Sequence, residues 1–281
     1  MSSIFVPPVS KLEELNHLFI ELTQKNCNQR CRKCYIDFPL TKNVKDFIQI
    51  DKIKQALNDT KNANLKCIYL TGAEPMTHPD FNNILRLCLK RTNVCIFTNA
   101  TFINEKKARF LKKVEDESKY QVIFKLSFAH YDEFKNDEVR FRGAFRQNLY
   151  ALKCLDKYDF TTIMCVNNYY KEANQKLTDE FNMIKQSNEL KNSMVQVTDW
   201  VDVCHHDDSV IPNDEMLLKC DCSNGRLLTQ NGIFSCPFLS NDYRGRMGSD
   251  FKDFSQVVRL ETDFCSTCIK NKEPMFSINI V

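Results

Sequence analysis

Six short runs rich in apolar and β-branched residues constrain this chain most: 17–23, 66–70, 94–98, 121–127, 160–166 and 193–198. Between most of them the residues fall into helical patterns. Residues 51–61 open on Asp51 as an N-cap and set Ile53, Ala56 and Leu57 on one face. Pro79 suits the first position of a helix carrying Phe81, Ile84, Leu85 and Cys88. The stretches 104–114, 143–155 and 172–187 read as three more helices. Strands alternating with helices imply βαβ units and a parallel sheet. Six units are too few for a closed eight-stranded barrel. The expected fold is therefore α/β: a partial (β/α)6 barrel with parallel strands.

In parallel α/β folds the C-terminal strand ends form the active face. Here the six runs are followed by QKNCNQRCRKCY, TGAEP, TNAT, SFAHYDE, NNYY and DWVD. Polar and cysteine residues thus converge on one mouth. His130, Tyr131, Asp132, Asn167, Asn168, Trp200 and Asp202 belong to it, and each could cap a helix or hold a loop as readily as touch a substrate. The alternation fades near Val203. From Asp207 to Val281 the chain holds four of its six glycines (Gly225, Gly232, Gly245, Gly248) and five cysteines. We expect a barrel over 1–206 and a small, loop-rich, metal-stapled module over 207–281.

Fourteen cysteines need an explanation. The N-terminal MSSIFVPPVS lacks the basic and apolar regions of a secretory signal. No apolar run approaches the roughly 18 residues of a membrane span. A cytoplasmic chain keeps its thiols reduced, so metal or catalytic roles outrank disulfides. Cys67, Cys88, Cys95, Cys154 and Cys165 sit singly among apolar residues and read as buried small hydrophobes. A net charge of +3, from 39 basic and 36 acidic residues, offers no electrostatic case for a nucleic-acid partner.

Cys27, Cys31 and Cys34 have the spacing C-x3-C-x2-C. Offsets of four and seven also recur on one helix face. The residues between them, Asn28, Gln29, Arg30, Arg32 and Lys33, are all polar, so a core stripe would have no apolar flank. Three thiolates suit a cubane with one iron left open, whereas a structural zinc site usually takes four ligands.

This motif, followed by an aromatic at the end of the first strand, resembles the radical S-adenosylmethionine (SAM) superfamily. The resemblance implies that Cys27, Cys31 and Cys34 hold a [4Fe–4S] cluster. Its open iron would bind the amino and carboxylate groups of SAM, with Tyr35 near the adenine. Thr71-Gly72-Ala73-Glu74-Pro75 resembles the family's Ser/Thr-Gly-Gly-Glu-Pro segment, which cradles the methionine amino group; it departs at Ala73. Thr98-Asn99-Ala100 resembles a Thr-Asn-Gly strand end. Ser127 matches a serine that contacts SAM. Within 140–145 one arginine should pair with the SAM carboxylate, Arg140 by register and Arg142 next.

The C-terminal cysteines are Cys220, Cys222, Cys236, Cys265 and Cys268. Gln230-Asn231-Gly232 is a hairpin signal between 225–229 and 233–235. The set resembles the family's twitch module, a reduced relative of the SPASM domain. That implies an auxiliary [4Fe–4S] cluster on Cys222, Cys236, Cys265 and Cys268, with Cys220 the rival for the first place. Four ligands leave no open iron and suit electron transfer or a structural role. On spacing alone, zinc is the alternative. Cys204, His205 and His206 read as an interdomain surface loop.

The resemblance implies reductive cleavage of SAM to a 5′-deoxyadenosyl radical, which abstracts hydrogen from a peptide or natural product. Oxidation, cross-linking or epimerisation would follow, with electrons from a flavodoxin or ferredoxin. Dehydrogenation of a small metabolite, such as an aminocyclitol or sugar alcohol, is the alternative. A non-catalytic iron–sulfur or zinc sensor is another, against which Glu74, Ser127 and Arg140 argue. About 16 residues precede the first run, too few for a leader-recognition domain.

Overall fold

Strand β2 (His17–Thr23) is buried along its whole length, as a strand covered on both faces must be. A computed structural model describes the chain at residues 9–32, 34, 36, 47–199, 221–240, 242–260, 265 and 268. Beside β2 lie β3 (Cys67–Gly72), β4 (Asn93–Thr98), β5 (Val122–Phe128), β6 (Thr161–Asn168) and β7 (Ser193–Asp199), in that order and all parallel. This is the expected six-stranded parallel sheet, open rather than closed. The helices are α1 (Ile50–Asp59), α2 (Phe81–Leu89), α3 (Glu105–Asp116), α4 (Glu133–Val139), α5 (Ala144–Asp156) and α6 (Asn174–Ser187).

On the other side of β2 the sheet continues. β8 (Gly225–Thr229) runs parallel to β2, and β9 (Gly232–Phe234) returns antiparallel to meet β10 (Arg246–Gly248). The hairpin signalled by Gln230-Asn231-Gly232 is therefore present. Its first strand extends the parallel sheet to nine strands in all. A separate two-stranded sheet pairs β1 (Val9–Lys11) with β11 (Val257–Arg259).

Side chains on successive strand residues point to opposite faces, and this divides the core in two. Leu18, Ile20, Ile68, Leu70, Ile96, Phe124, Leu126, Met164 and Val166 pack against the helices. Phe19, Cys67, Tyr69, Cys95, Ile123, Ile163 and Leu227 form a second cluster on the concave face, with Phe97 packed against it. Phe19 stacks on Tyr69 at 4.5 Å between ring centres. The five cysteines read as core residues are all buried.

Two local expectations are corrected, and one helix was not expected. Asp51 is not the N-cap of α1; it lies in the first turn and pairs with Lys54 at 2.8 Å. Gln49 takes the cap without a side-chain bond, and its own N–H donates to Gln230 Oε1, so a tertiary contact fixes where α1 starts. Pro79 does not open α2. His78 Nδ1 accepts the N–H of Asp80 at 3.0 Å, and the helix begins only at Phe81. The unexpected helix is α4, seven residues that the apolar pattern does not reveal. It is capped by the Asp132 carboxylate, which accepts the N–H of Lys135.

At the foot of the concave face, buried His17 has Nδ1 3.0 Å from the Tyr69 hydroxyl. Burial first, and the charge of Lys66 second, push its pKa down from 6.5 to about 4. The unfolded chain then binds the proton that the folded chain refuses. Stability supplied by this residue is present above pH 6.5 and is lost as pH falls towards 4. Denaturant midpoints measured across that window should fall more steeply for the natural protein than for His17→Gln.

Candidate active site

The C-terminal ends of β2 to β5 carry the motifs, and one carboxylate joins them. Glu74 has no exposed surface. Its oxygens accept the Met76 N–H at 3.1 Å, the Asn99 N–H at 2.7 Å and the Thr98 hydroxyl at 2.9 Å and 3.1 Å. Burial pushes its pKa up to about 7, and the donors from Asn99, Met76 and Thr98 and the charge of Arg140 pull against that rise. Glu74 therefore acts first as a clasp that binds the end of β3 to the end of β4.

Gly72 is required by close approach. Its φ is +117°, and a Cβ there would collide with the Thr23 carbonyl oxygen at the end of β2. The next N–H, of Ala73, donates to the same oxygen at 2.7 Å. Ala73 is not among the residues with positive φ, so alanine fits where the family pattern has glycine. Ala100 does take a left-handed φ of +63°, at the position where the family pattern has glycine.

Asn99 is buried and turned towards the cysteine loop. Its Nδ2 donates to Cys27 Sγ at 3.6 Å and to Asn28 Oδ1 at 2.9 Å. Glu74 N–H and the Thr77 hydroxyl both donate to the Asn26 carbonyl, fixing the start of that loop. Further along, Arg32 N–H donates to the Val139 carbonyl at 2.9 Å, tying the loop to the end of α4. Cys27, Cys31 and Cys34 are half-buried. The Cys27 thiol is pushed up to about 11, chiefly by burial, with the Gln29 N–H pulling it down and the nearby Glu74, Cys31 and Cys34 raising it further. Burial likewise raises Cys34, the Ile36 N–H lowers it, Cys31 raises it, and Arg140 and Arg30 lower it. The three thiols are thus within electrostatic reach of one another, and as thiolates they repel. A shared cation relieves that repulsion, so the donor set fits an iron–sulfur cluster.

Arg140 caps the C-terminus of α4, and its charge reaches Cys34 and Glu74. Its Nε is buried with no hydrogen-bond partner among the described residues, which fits an incoming carboxylate. Arg142 is exposed. Ser127, near the end of β5, faces the concave side, and its carbonyl accepts Asn148 Nδ2 at 2.8 Å. Tyr35, Trp200, Asp202, Cys204, His205, His206 and Cys220 lie outside the described residues.

Residues 22–173 match the Radical SAM superfamily, more than half of the chain. The chain belongs to the radical SAM superfamily. Membership implies a [4Fe–4S] cluster and SAM. No curated protein matches the sequence. Among solved structures, Streptococcus suis SuiB bound to precursor peptide SuiA superposes with a TM-score of 0.65 at 15% identity, over 88% of this chain and 64% of SuiB. SuiB bound to S-adenosylmethionine gives 0.63 at 16% identity, over 85% of this chain and 64% of SuiB. Native anSMEcpe with bound AdoMet gives 0.62 at 15% identity, over 85% of this chain and 78% of anSMEcpe. These likenesses show the fold. The chain spans less than two thirds of SuiB's length.

Cys222, Cys236 and Cys265 meet in one small apolar cluster with Leu239, Val258 and Leu260. Cys222 precedes β8, whose first residue pairs with His17 at the start of β2, whereas Cys27 follows the end of β2. The two cysteine sets therefore sit at opposite ends of the sheet, separated by roughly the 20 Å length of β2. No three His, Cys, Asp or Glu among the described residues could hold a single metal ion. Each thiolate of an iron–sulfur cluster takes a different iron, so cluster ligands need not converge on one point.

The sequence reading missed several residues that fix this geometry. Asn136, fully buried, accepts the Ala129 N–H through its side chain and the Arg140 N–H through its carbonyl. Asp137 accepts the N–H groups of Gly143 and Phe145. Glu172 lies 2.8 Å from Nε2 of His130, which the sequence did place at the mouth, and the pair joins the loops after β5 and β6. Arg226, also fully buried, donates to the carbonyls of Cys222, Gly225 and Gln256.

Two substitutions test these clasps. Glu74→Gln sets an NH2 against a backbone N–H and should cost about 1–3 kcal/mol in guanidinium unfolding. Arg226→Leu strands three carbonyls and should cost roughly 3 kcal/mol in the same measurement.

Proposed function

We propose that this chain is a two-cluster radical SAM enzyme that modifies a peptide or a peptide-derived natural product. The arrangement of Cys27, Asn99, Glu74 and Arg140 at one mouth carries the reading. Cys27, Cys31 and Cys34 would hold the SAM-binding cluster, and Cys222, Cys236, Cys265 and Cys268 the auxiliary one, in a module spanning 207–281 beside a barrel spanning 1–206. When bound, cluster and SAM together supply a 5′-deoxyadenosyl radical able to take a hydrogen atom from an unactivated carbon.

The chain's own residues bind, orient and exclude water. Asn99 Nδ2 holds the Cys27 sulfur. The Arg140 guanidinium would take the SAM carboxylate and Thr71, Gly72 and Ala73 its amino group, and by the family pattern Tyr35 would serve the adenine. Ser127, on the concave face of β5, would contact SAM. Below it Phe19, Tyr69, Phe97 and Leu227 make an apolar floor that keeps water from a reactive carbon. The auxiliary ligands lie beyond that floor, so a substrate on the concave face sits between the two cysteine sets. That position suits an auxiliary cluster that removes an electron from the substrate. The peptide reading draws support from SuiB, solved with a precursor peptide on a fold shared over 88% of this chain. An electron donor of the flavodoxin or ferredoxin kind fits the same chemistry.

Anaerobic reconstitution should give about eight irons per chain and dithionite-dependent conversion of SAM to 5′-deoxyadenosine. Replacing Cys27, Cys31 and Cys34 together by Ala should leave about four irons and no 5′-deoxyadenosine. SAM cleavage by that variant would end the reading.

A further inference from the structure

The concave face carries a buried amide that no described residue uses. On β7, Val195 and Val197 pack on the helix side, so Gln196 between them faces the concave side. On β6, Met164 and Val166 pack on the helix side and Ile163 on the concave side, which puts Cys165 on the concave face. On β5 the same alternation places Lys125 and Ser127 there. The register pairs Ser127 with Cys165 and Cys165 with Gln196, one straight row across three strands. Gln196 thus lies two strand spacings, roughly 10 Å, from Ser127.

Gln196 is only 4% exposed, yet neither its Nε2 nor its Oε1 has a hydrogen-bond partner among the described residues. Its counterpart two residues on, Thr198, is satisfied by Asn167 at 2.8 Å. A buried primary amide with donor and acceptor both unmet is costly to the fold. Such a group calls for an explanation, and folds break local rules of this kind mainly at functional sites. Resting on the peptide reading above, we propose that Gln196 clamps a main-chain amide of the substrate, Nε2 donating to its carbonyl and Oε1 accepting its N–H. A peptide unit offers that complementary pair, whereas a carboxylate would oppose Oε1.

The test uses the reconstituted protein with SAM and two probes: N-acetylalanine N-methylamide, a blocked and uncharged peptide unit, and myo-inositol. Binding is read by saturation-transfer NMR, and thermal stability is read in parallel. The natural protein should bind the blocked dipeptide and not the polyol. Gln196→Leu should weaken dipeptide binding at least tenfold with Tm unchanged or higher, because it removes two unmet polar atoms. Gln196→Met gives the same reading if leucine is not accommodated. Equal dipeptide binding by variant and natural protein would overturn the assignment of Gln196 while leaving the peptide reading intact. A clear fall in Tm for both variants would show that Gln196 is structural and overturn it too. Binding of inositol in place of the dipeptide would overturn the clamp and the peptide reading together.

Discussion

The buried carboxylate of Glu74 is the constraint on which the mouth of this barrel depends. Parallel strands do not hold their own ends together, because the ladder stops where each strand turns into its helix. Glu74 takes over at that point. It accepts two backbone N–H groups and a hydroxyl from two successive strand ends. Asn99, fixed through its N–H, then aims its carboxamide at Cys27 and Asn28. A backbone N–H bound to a buried carboxylate is a strong anchor, and it costs none of the side-chain groups that a ligand would need. Glycine at 72 serves the same end, since only a residue without Cβ lets β2 and β3 approach this closely.

A second anchoring runs through α4. Its backbone meets the cysteine loop at Arg32, its interior Asn136 meets the end of β5, and its last turn delivers Arg140. One short helix therefore relates the thiols, the strand end and the guanidinium. The C-terminal segment is fastened by another route. The carbonyl of Cys222 is fixed by a buried arginine in β8, and β8 itself is a strand of the same sheet as β2. The two cysteine sets are thus held at opposite ends of one continuous sheet.

The parallel sheet was legible because a strand buried on both faces leaves a plain apolar run, and the six runs from His17 to Thr198 could be read directly. The cysteine loop was legible because thiols in polar surroundings have no packing explanation. The helix starts were not. Asp51 is chemically able to cap, but Gln230, 181 residues from Gln49, holds that residue and moves the cap two residues earlier. Pro79 suits a first turn, but the ring of His78 takes the Asp80 N–H and delays the helix. Helix α4 shows only Phe134 and Val139 as apolar residues, and Phe134 is exposed, so no stripe marks it. In each case the deciding partner is a polar side chain distant in sequence or hidden in a turn.

Gln196 was illegible for the opposite reason. A glutamine in a strand of ordinary alternation carries no signal, and its register opposite Cys165 and Ser127 emerges only from the folded sheet. What marks it is a local rule broken without local compensation. Natural folds break such rules mainly at functional sites. The clasps at Glu74, Asn136 and Arg226 are all polar groups buried with their partners, and they stabilise. Gln196 is buried without them on the edge strand, two strands from Ser127, and a substrate amide is the partner that its geometry lacks.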